Sequence, residues 1–370
     1  MNPLTRARSP RPPGPDFPAG RQVTPWPGEP RPVPPPLDRL LRLSLAGGRL
    51  RPAASAGALH PVNAHLLLGP GTPLPPGRYA YDPVRHRLIA RTTAPAGAPP
   101  GAVAVLTVTA RRTVSHYGHR AWPLLLLDTG HAAAALALAG APEWCPDADV
   151  TLLARAAGLP PDRHGAEPEH PLAAVRLTPG PRDVLEHWSA HGPGAPPPPT
   201  PHMPPPVLEE TWRILDGLPG AATWRRAEAP PLPEAALLSR RSAEPPLGGV
   251  PERHLLEVVL ATARRTTAVR WGLLTDTAPE ALAARAAGQH WVGHAGALLL
   301  AHGCPDDAPP AHVRHTHLHA GYAVGLAQAV AGHLGLASRP VGSWQHGPGG
   351  PPDIVHALAL GAHSEGTHRP

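Results

Sequence analysis

Proline divides this chain. Gly192-Pro-Gly-Ala-Pro-Pro-Pro-Pro-Thr200 and Pro204-Pro-Pro206 separate two segments that each carry apolar periodicity. Proline has no backbone N–H and a fixed φ, so such a run can neither continue a helix nor sit inside a sheet. The chain is therefore expected to fold as two blocks, residues 37–178 and 235–370. Residues 179–234 read as a linker of polyproline character. Residues 1–36, rich in Pro and Arg without an apolar period, read as an extended N-terminal arm. Although 57 of 370 residues are Pro and 38 are Gly, the 42% apolar fraction is enough for a core on each side of the linker.

Within the first block, Leu37–Leu45 has the spacing of a short amphipathic helix and Val62–Leu68 that of a strand. Tyr79–Asp82 and His86–Ala90 pair as a hairpin around Asp82-Pro83, Gly101–Ala110 alternates as a strand, Trp122–Ala139 is a long apolar helix, and Leu172–Leu177 closes the block as a strand. In the second block, Leu255–Arg264, Pro279–Ala287 and Thr316–Leu334 read as helices, and Ala268–Leu274, Ala297–His302 and Ile354–Leu360 as strands. Leu127-Asp-Thr-Gly-His131 and Leu318-His-Ala-Gly-Tyr322 open Ala-rich helices at similar distances after a strand, the mark of an internal duplication.

All 33 basic residues are Arg and none is Lys, which excludes P-loop lysine and Schiff-base chemistry. The net charge of +6 comes without a dense basic run, and only 4% of residues are aromatic, so no nucleic-acid partner is expected. Cys145 and Cys304 form neither a disulfide framework nor a zinc pattern, which suits a reducing, cytoplasmic setting. No apolar run of membrane-spanning length is evident, and the N-terminus lacks the apolar region of a signal peptide.

Several segments carry chemistry. Arg51-Pro-Ala-Ala-Ser-Ala-Gly-Ala-Leu-His-Pro61 places small residues, Ser55, Ala56 and Gly57 among them, where a planar ring can approach the backbone; by composition alone it is also an ordinary turn. Arg240-Arg-Ser242 sets a guanidinium two residues from a hydroxyl, a compact phosphate grip, although Arg-Arg pairs recur in this chain. Gln289 offers an amide that both donates and accepts. Val341-Gly342-Ser343 offers backbone N–H groups on a loop between helix and strand. Ser115-His-Tyr-Gly-His-Arg120 pairs His116 with Tyr117, an acid–base couple if a nearby cation lowers the phenol or a packed Tyr if none does. His312, His315 and His319 share a helical face, but among 24 His this is expected by chance, and no metal is expected.

Together these segments resemble the SagB-type branch of the FMN-dependent nitroreductase superfamily. The matching pieces are Ala54–Pro61, the hairpin Leu74-Pro-Pro-Gly-Arg-Tyr-Ala-Tyr-Asp-Pro83, His116-Tyr-Gly118, Asp128-Thr-Gly-His131, Arg240-Arg-Ser242, Gly288-Gln289, His319–Tyr322 and Val341-Gly-Ser343. The hairpin is the most specific of them, and the likeness covers roughly residues 37–178 and 235–362. It implies an α+β fold of two nitroreductase-like units, each a mainly antiparallel sheet flanked by helices, forming an intramolecular pseudo-dimer. It also implies FMN as cofactor. Arg240, Ser242, Gln289, Val341, Gly342 and Ser343 would come from the second unit and Ser55, Ala56 and Gly57 from the first. Because each half keeps a different part of the set, one FMN per chain is expected, between the halves. Arg369 is a candidate for a further phosphate contact.

The branch oxidises azoline rings of ribosomally made peptides to thiazoles or oxazoles, with O2 reoxidising the flavin. Tyr117 and His116 fall where the branch places its base; His116 replaces the usual Lys. The implied partners are a precursor peptide and a cyclodehydratase, with the chain itself a monomeric pseudo-dimer or a homodimer. Two other readings stand beside this one: a different flavin-dependent small-molecule reductase or oxidase, and a flavin-free scaffold docking through its Pro-rich segments.

Overall fold

The computed structural model describes residues 2–161, 165–200, 203–275, 280–347 and 353–362. The first part contains helix α1 (Pro3–Ala7), strand β1 (Glu29–Pro32), α2 (Leu37–Arg42), β2 (Val62–Leu68), β3 (Gly77–Asp82), β4 (Arg87–Thr93), β5 (Ala102–Val108), α3 (Ala110–Tyr117), α4 (Ala121–Leu138), β6 (Glu143–Cys145), α5 (Val150–Ala156) and β7 (His170–Arg176). Next come α6 (Val184–Ser189), α7 (Pro206–Asp216) and β8 (Arg225–Arg226). The second part contains α8 (Glu234–Ser239), α9 (Arg253–Ala263), β9 (Arg270–Leu274), α10 (Glu280–Ala284), β10 (Ala297–His302), α11 (Pro310–His333), β11 (Ala337–Val341) and β12 (Ile354–Gly361).

Two sheets result, and every strand pairing within them is antiparallel. The first runs β1-β4-β3-β2-β5-β7-β6-β8 and the second β11-β12-β10-β9. The run β2-β5-β7-β6 and the run β9-β10-β12-β11 have the same connectivity: first strand, second, fourth, third. The chain is thus two units of one topology, an α+β intramolecular pseudo-dimer. The first unit adds the β3–β4 hairpin and β1 outside β2. Asp82 makes that hairpin turn, its Oδ1 accepting from the backbone N–H of Val84 (2.9 Å) and Arg85 (3.0 Å). β5 is buried on both faces. Ala104 and Leu106 share a core with α2 and α4, while Val103 and Val105 pack with Leu153 and Trp188 on the opposite face.

The units meet where α4 crosses α11. A Cβ on Gly130 would overlap the Leu318 carbonyl oxygen and lie 2.7 Å from the Tyr322 nitrogen; a Cβ on Gly321 would in turn overlap the Leu127 carbonyl. Gly130 follows Leu127 by three residues, as Gly321 follows Leu318. The contact is reciprocal, as a two-fold axis requires. Only glycine lets two helix backbones approach this closely.

Several expectations need correction. The run Ala110–Leu138 is long and apolar enough to cross a membrane, but 89% of its apolar window is buried inside the protein, where α4 forms the core. The N-terminal arm is not simply extended: Leu4 and Ala7 of α1 are buried, and Arg8 donates to the carbonyls of Cys304 (2.8 Å) and Ile354 (3.3 Å). The expected linker is no plain spacer either: it contains α6, α7 and β8, with Trp188 of α6 and Trp212 of α7 buried. The last carbonyls of α5 and α6 lack intrahelical partners, and a buried Arg supplies the donors. Arg78 donates to the carbonyls of Arg155, Ala156, Trp188, His191 and Gly192. The strand expected to reach Ala110 stops at Val108, where α3 takes over, and α11 starts at Pro310 rather than Thr316.

Gly130→Ala is expected to force the crossing apart and to lower stability by about 1–3 kcal/mol, the usual cost of overpacking, read as a fall in the denaturation midpoint. An unchanged midpoint would show that the helices tolerate separation.

Candidate functional site

The loop ahead of β2 is held by a single buried carboxylate. Asp128, on α4 half a turn before Gly130, accepts from the Ser55 hydroxyl (2.6 Å) and the Ala56 N–H (3.0 Å). Ser55 Oγ in turn accepts from the His60 N–H (3.0 Å). Between these ties the backbone turns through positive φ at Gly57 (59°), Ala58 (53°) and His60 (45°). Gly57 and Ala58 are exposed, while Ser55 and Ala56 are half-buried. Burial pushes the Asp128 carboxyl up to about 7, against the pull of its two hydrogen bonds.

Segment 240–243 of the second unit reaches this loop. Arg240 donates through Nε to the Pro52 carbonyl and through Nη2 to the Arg51 carbonyl (3.0 Å). Its Nη1 donates to Gln328 Oε1 (3.0 Å) on α11, and Gln328 Nε2 donates to Ser242 Oγ (3.2 Å). A guanidinium has five N–H groups, so these three bonds leave two for a ligand. Arg51 and Arg112 stand close by, and both charges, with that of Arg240, act on His60; burial first and then Arg51 hold its imidazole down to about 4. The Nη2 atoms of Arg51 and Arg112 are buried without a partner.

Downstream of Ser242, the Ala243 N–H donates to the Ser338 carbonyl (2.9 Å) on β11, and Arg339 donates back to the Ala243 carbonyl (3.0 Å). Segment 240–243 is thereby tied to β11 at Ser338 and Arg339. Val341, expected on an open loop, is the last residue of β11, pairs with Ala357 and is fully buried. Gly342 and Ser343 form the loop itself and are half-buried. Its position is set by two neutral imidazoles. His356 Nδ1–H donates to the Val341 carbonyl (3.0 Å), which leaves His356 Nε2 to accept from His131 Nε2–H (3.0 Å) on α4. Burial holds the His356 ring down to about 4. On the side of the arm the loop is closed. The cavity there, lined by Leu4, Ala7, Arg8 and His317 among others, has about 20 Å³, room for one water.

Tyr117 ends α3, and its hydroxyl oxygen lies 3.2 Å from where a Cβ on Gly57 would sit. Burial and the Asp128 carboxylate push its phenol up to about 12, outweighing Arg339. The pull of that cation is too weak to lower it overall, and at rest Tyr117 keeps its proton. His116 is exposed, packs edge-on against the Tyr117 ring at 4.8 Å and faces Asp16 of the arm (3.3 Å).

At the seam between the units Arg240 bonds the loop that carries Ser55, Ala56 and Gly57 and is tied through Gln328 to Ser242; Tyr117 stands beside Gly57 with His116 packed on it, and Gly342 lies against Leu124 and Leu127 of α4. Gln289 is not tied into it: its side-chain amide donates to the Ala286 carbonyl (3.1 Å) of its own turn. Arg369 lies outside the described residues. On α11, the His315 and His319 rings lie 4.4 Å apart, tilted by 50°, while His317 turns to the Val313 carbonyl, and no group of three His, Cys, Asp or Glu among the described residues is arranged for a metal. Sequence reasoning assigned no role to Asp128, Gln328, Arg51 or the His131–His356 pair. The signal for Asp128 and Gln328 was present, a lone acid in apolar α4 and a lone amide in Ala-rich α11.

No protein-family model and no curated protein matches the sequence. Among solved structures, a protein named as a nitroreductase from Anabaena variabilis superposes on 93% of this chain and 94% of its own, with a TM-score of 0.67 and 17% identity. That match runs through both units and establishes the fold as that of a nitroreductase. Shorter matches include the Escherichia coli microcin synthetase McbBCD complex with truncated pro-MccB17 bound (TM-score 0.33, 17% identity, 41% of this chain and 68% of that one). Nitroreductase A from Vibrio parahaemolyticus also matches (TM-score 0.29, 15% identity, 35% of this chain and 66% of that one).

Asp128→Asn provides a test of the clamp. A carboxyl raised from 3.8 to about 7 on folding binds more protons in the native state, so its favourable contribution is complete at low pH and lost as pH rises through about 7. The stability of the parent relative to the Asn variant should fall between about pH 4 and about pH 7; a flat difference in denaturant titrations would mean that Asp128 is ionised throughout.

Proposed function

We propose that this protein is an FMN-dependent dehydrogenase that converts thiazoline or oxazoline rings of a ribosomally made peptide to thiazoles or oxazoles, with O2 as final electron acceptor. The observation that carries the flavin part is the meeting of two half-sites. The loop that carries Ser55–Gly57 is bonded at its Arg51 and Pro52 carbonyls by Arg240 of the second unit, with unpartnered guanidinium nitrogens on Arg51 and Arg112 nearby. This donor set fits a phosphate, and the small-residue loop fits the approach of a flat ring. The peptide part rests on the sequence resemblance.

The seam is single. At the place in α11 equivalent to Asp128 stands His319, which packs on Trp144 at 4.9 Å instead of clamping a loop. This asymmetry supports one FMN per chain.

Aromatising an azoline removes two hydrogens from the ring, one as a proton and one with its electron pair. FMN, when bound, supplies the acceptor for the electron pair. Arg240 offers its two remaining N–H groups to the phosphate, and Asp128 keeps the loop in place through Ser55 and Ala56. Tyr117, protonated at rest, orients the substrate ring by hydrogen bonding, and proton removal falls to the exposed imidazole of His116. A peptide can reach His116 because its side chain is 57% exposed.

The deciding experiment is the visible spectrum of the purified protein, with the released chromophore identified and counted. Near one FMN per chain is expected; a protein that stays colourless after FMN is added would move the flavin-free scaffold reading to the front. Arg240→Ala should lose FMN on gel filtration. Tyr117→Phe should keep FMN but lose about a hundredfold or more in turnover of an azoline peptide. Full turnover by that variant would remove Tyr117 from the reaction, and NAD(P)H consumption without an azoline would favour a small-molecule reductase.

A further inference from the structure

A sheet edge invites another strand unless something blunts it. Three of the four edges here are blunted. β1 is Glu-Pro-Arg-Pro, β8 is only Arg225-Arg226, and β11 carries Arg339 and Pro340 and is bonded along its side by Ala243. The fourth edge, β9, reads Arg-Trp-Gly-Leu-Leu. It has no proline and no bulge against β10, and its one charge, Arg270, sits at the end and is neutralised by Asp353 at 2.6 Å.

Internal symmetry shows what such an edge does in this fold. β9 is the counterpart of β2, whose outer edge is covered in antiparallel register by β3, from His65 opposite Ala80 to Leu68 opposite Gly77. Among the described residues no strand covers β9. Trp271, Leu273 and Leu274 are only half-buried, and Val258 on α9, the helix packed beside β9, is 46% exposed.

We infer that β9 is the seat of a homodimer, in which the β9 strand of a second copy pairs antiparallel with it about a two-fold axis at Gly272. The sequence of the strand is self-complementary in that register. Gly272 meets Gly272, where the absence of a side chain allows close approach. Trp271 faces Leu273 and Arg270 faces Leu274, so aromatic and aliphatic groups pair and no like charges oppose. The two four-stranded sheets would then join into one of eight.

Sedimentation equilibrium of the full chain should show a monomer–dimer equilibrium, weakened about tenfold or more by Leu273→Lys, which puts a charge opposite Trp271. Hydrogen exchange on the unmodified chain gives a second readout free of any folding defect: amides 270–274 should gain protection as concentration rises. A chain that stays monomeric at every soluble concentration overturns the inference. So does a dimer that leaves exchange at 270–274 unchanged, or protection of β9 that appears only on adding an azoline peptide.

Discussion

The contact between Gly130 and Gly321 holds the molecule in its shape. Because neither helix has a Cβ at the crossing, α4 and α11 pack backbone to backbone, and the two units lie close enough to share a seam. The residues that shape the seam are immediate neighbours of this contact. Asp128 and His131 flank Gly130, one clamping the Ser55 loop and the other reaching His356 and the end of β11. A shift of the crossing moves both at once. The duplicated helices have diverged at these positions: His319 and Tyr322 of α11 pack on Trp144, where α4 has Asp128 and His131. Two-fold symmetry survives in the scaffold and is lost in the site.

A second constraint is the supply of hydrogen-bond donors. Helix ends and irregular segments leave carbonyls without N–H partners, and burying unpaired carbonyls is costly. Fully buried arginines offset the deficit. Arg78 gathers five carbonyls around α5 and α6, and Arg314 on α11 gathers those of Ala148, Leu172 and Pro219 from the other unit. Arginine suits this task because its donors fan out in a plane and stay charged. With no lysine in the chain, arginine serves both as internal staple and as the anion grip proposed at the seam. Part of the Arg content therefore has a structural use here.

Much of the scaffold was legible because its signals are local. The alternation in Ala102–Val108, the Asp82 turn and the periodicity of Trp122–Ala139 each depend on neighbours within a few residues. So does the small-residue loop, whose Gly57 and Ala58 adopt the positive φ that such sequences permit. The site was half legible. Ser55 and Arg240 were readable as motifs, but the bond network that joins them runs through Asp128, Gln328 and two backbone carbonyls. Gln289 illustrates the limit: its amide chemistry suited a ligand edge, and a carbonyl three residues away took it.

By itself the sequence determined the main strands and helices of each unit, the duplication and the residue types able to hold a phosphate, and its resemblance to a known family implied the antiparallel α+β class. Proline marks where an N–H is missing, but not whether the segment is bathed in water or docked on a buried arginine. The tertiary structure alone decided that the arm and the presumed linker pack into the core. It also decided that the phenol of Tyr117 keeps its proton and that Asp128 is buried enough to titrate near neutrality. Each of these depends on burial and on charges brought together from distant parts of the chain, such as Asp128 and Arg339 around Tyr117, and no local pattern encodes that sum.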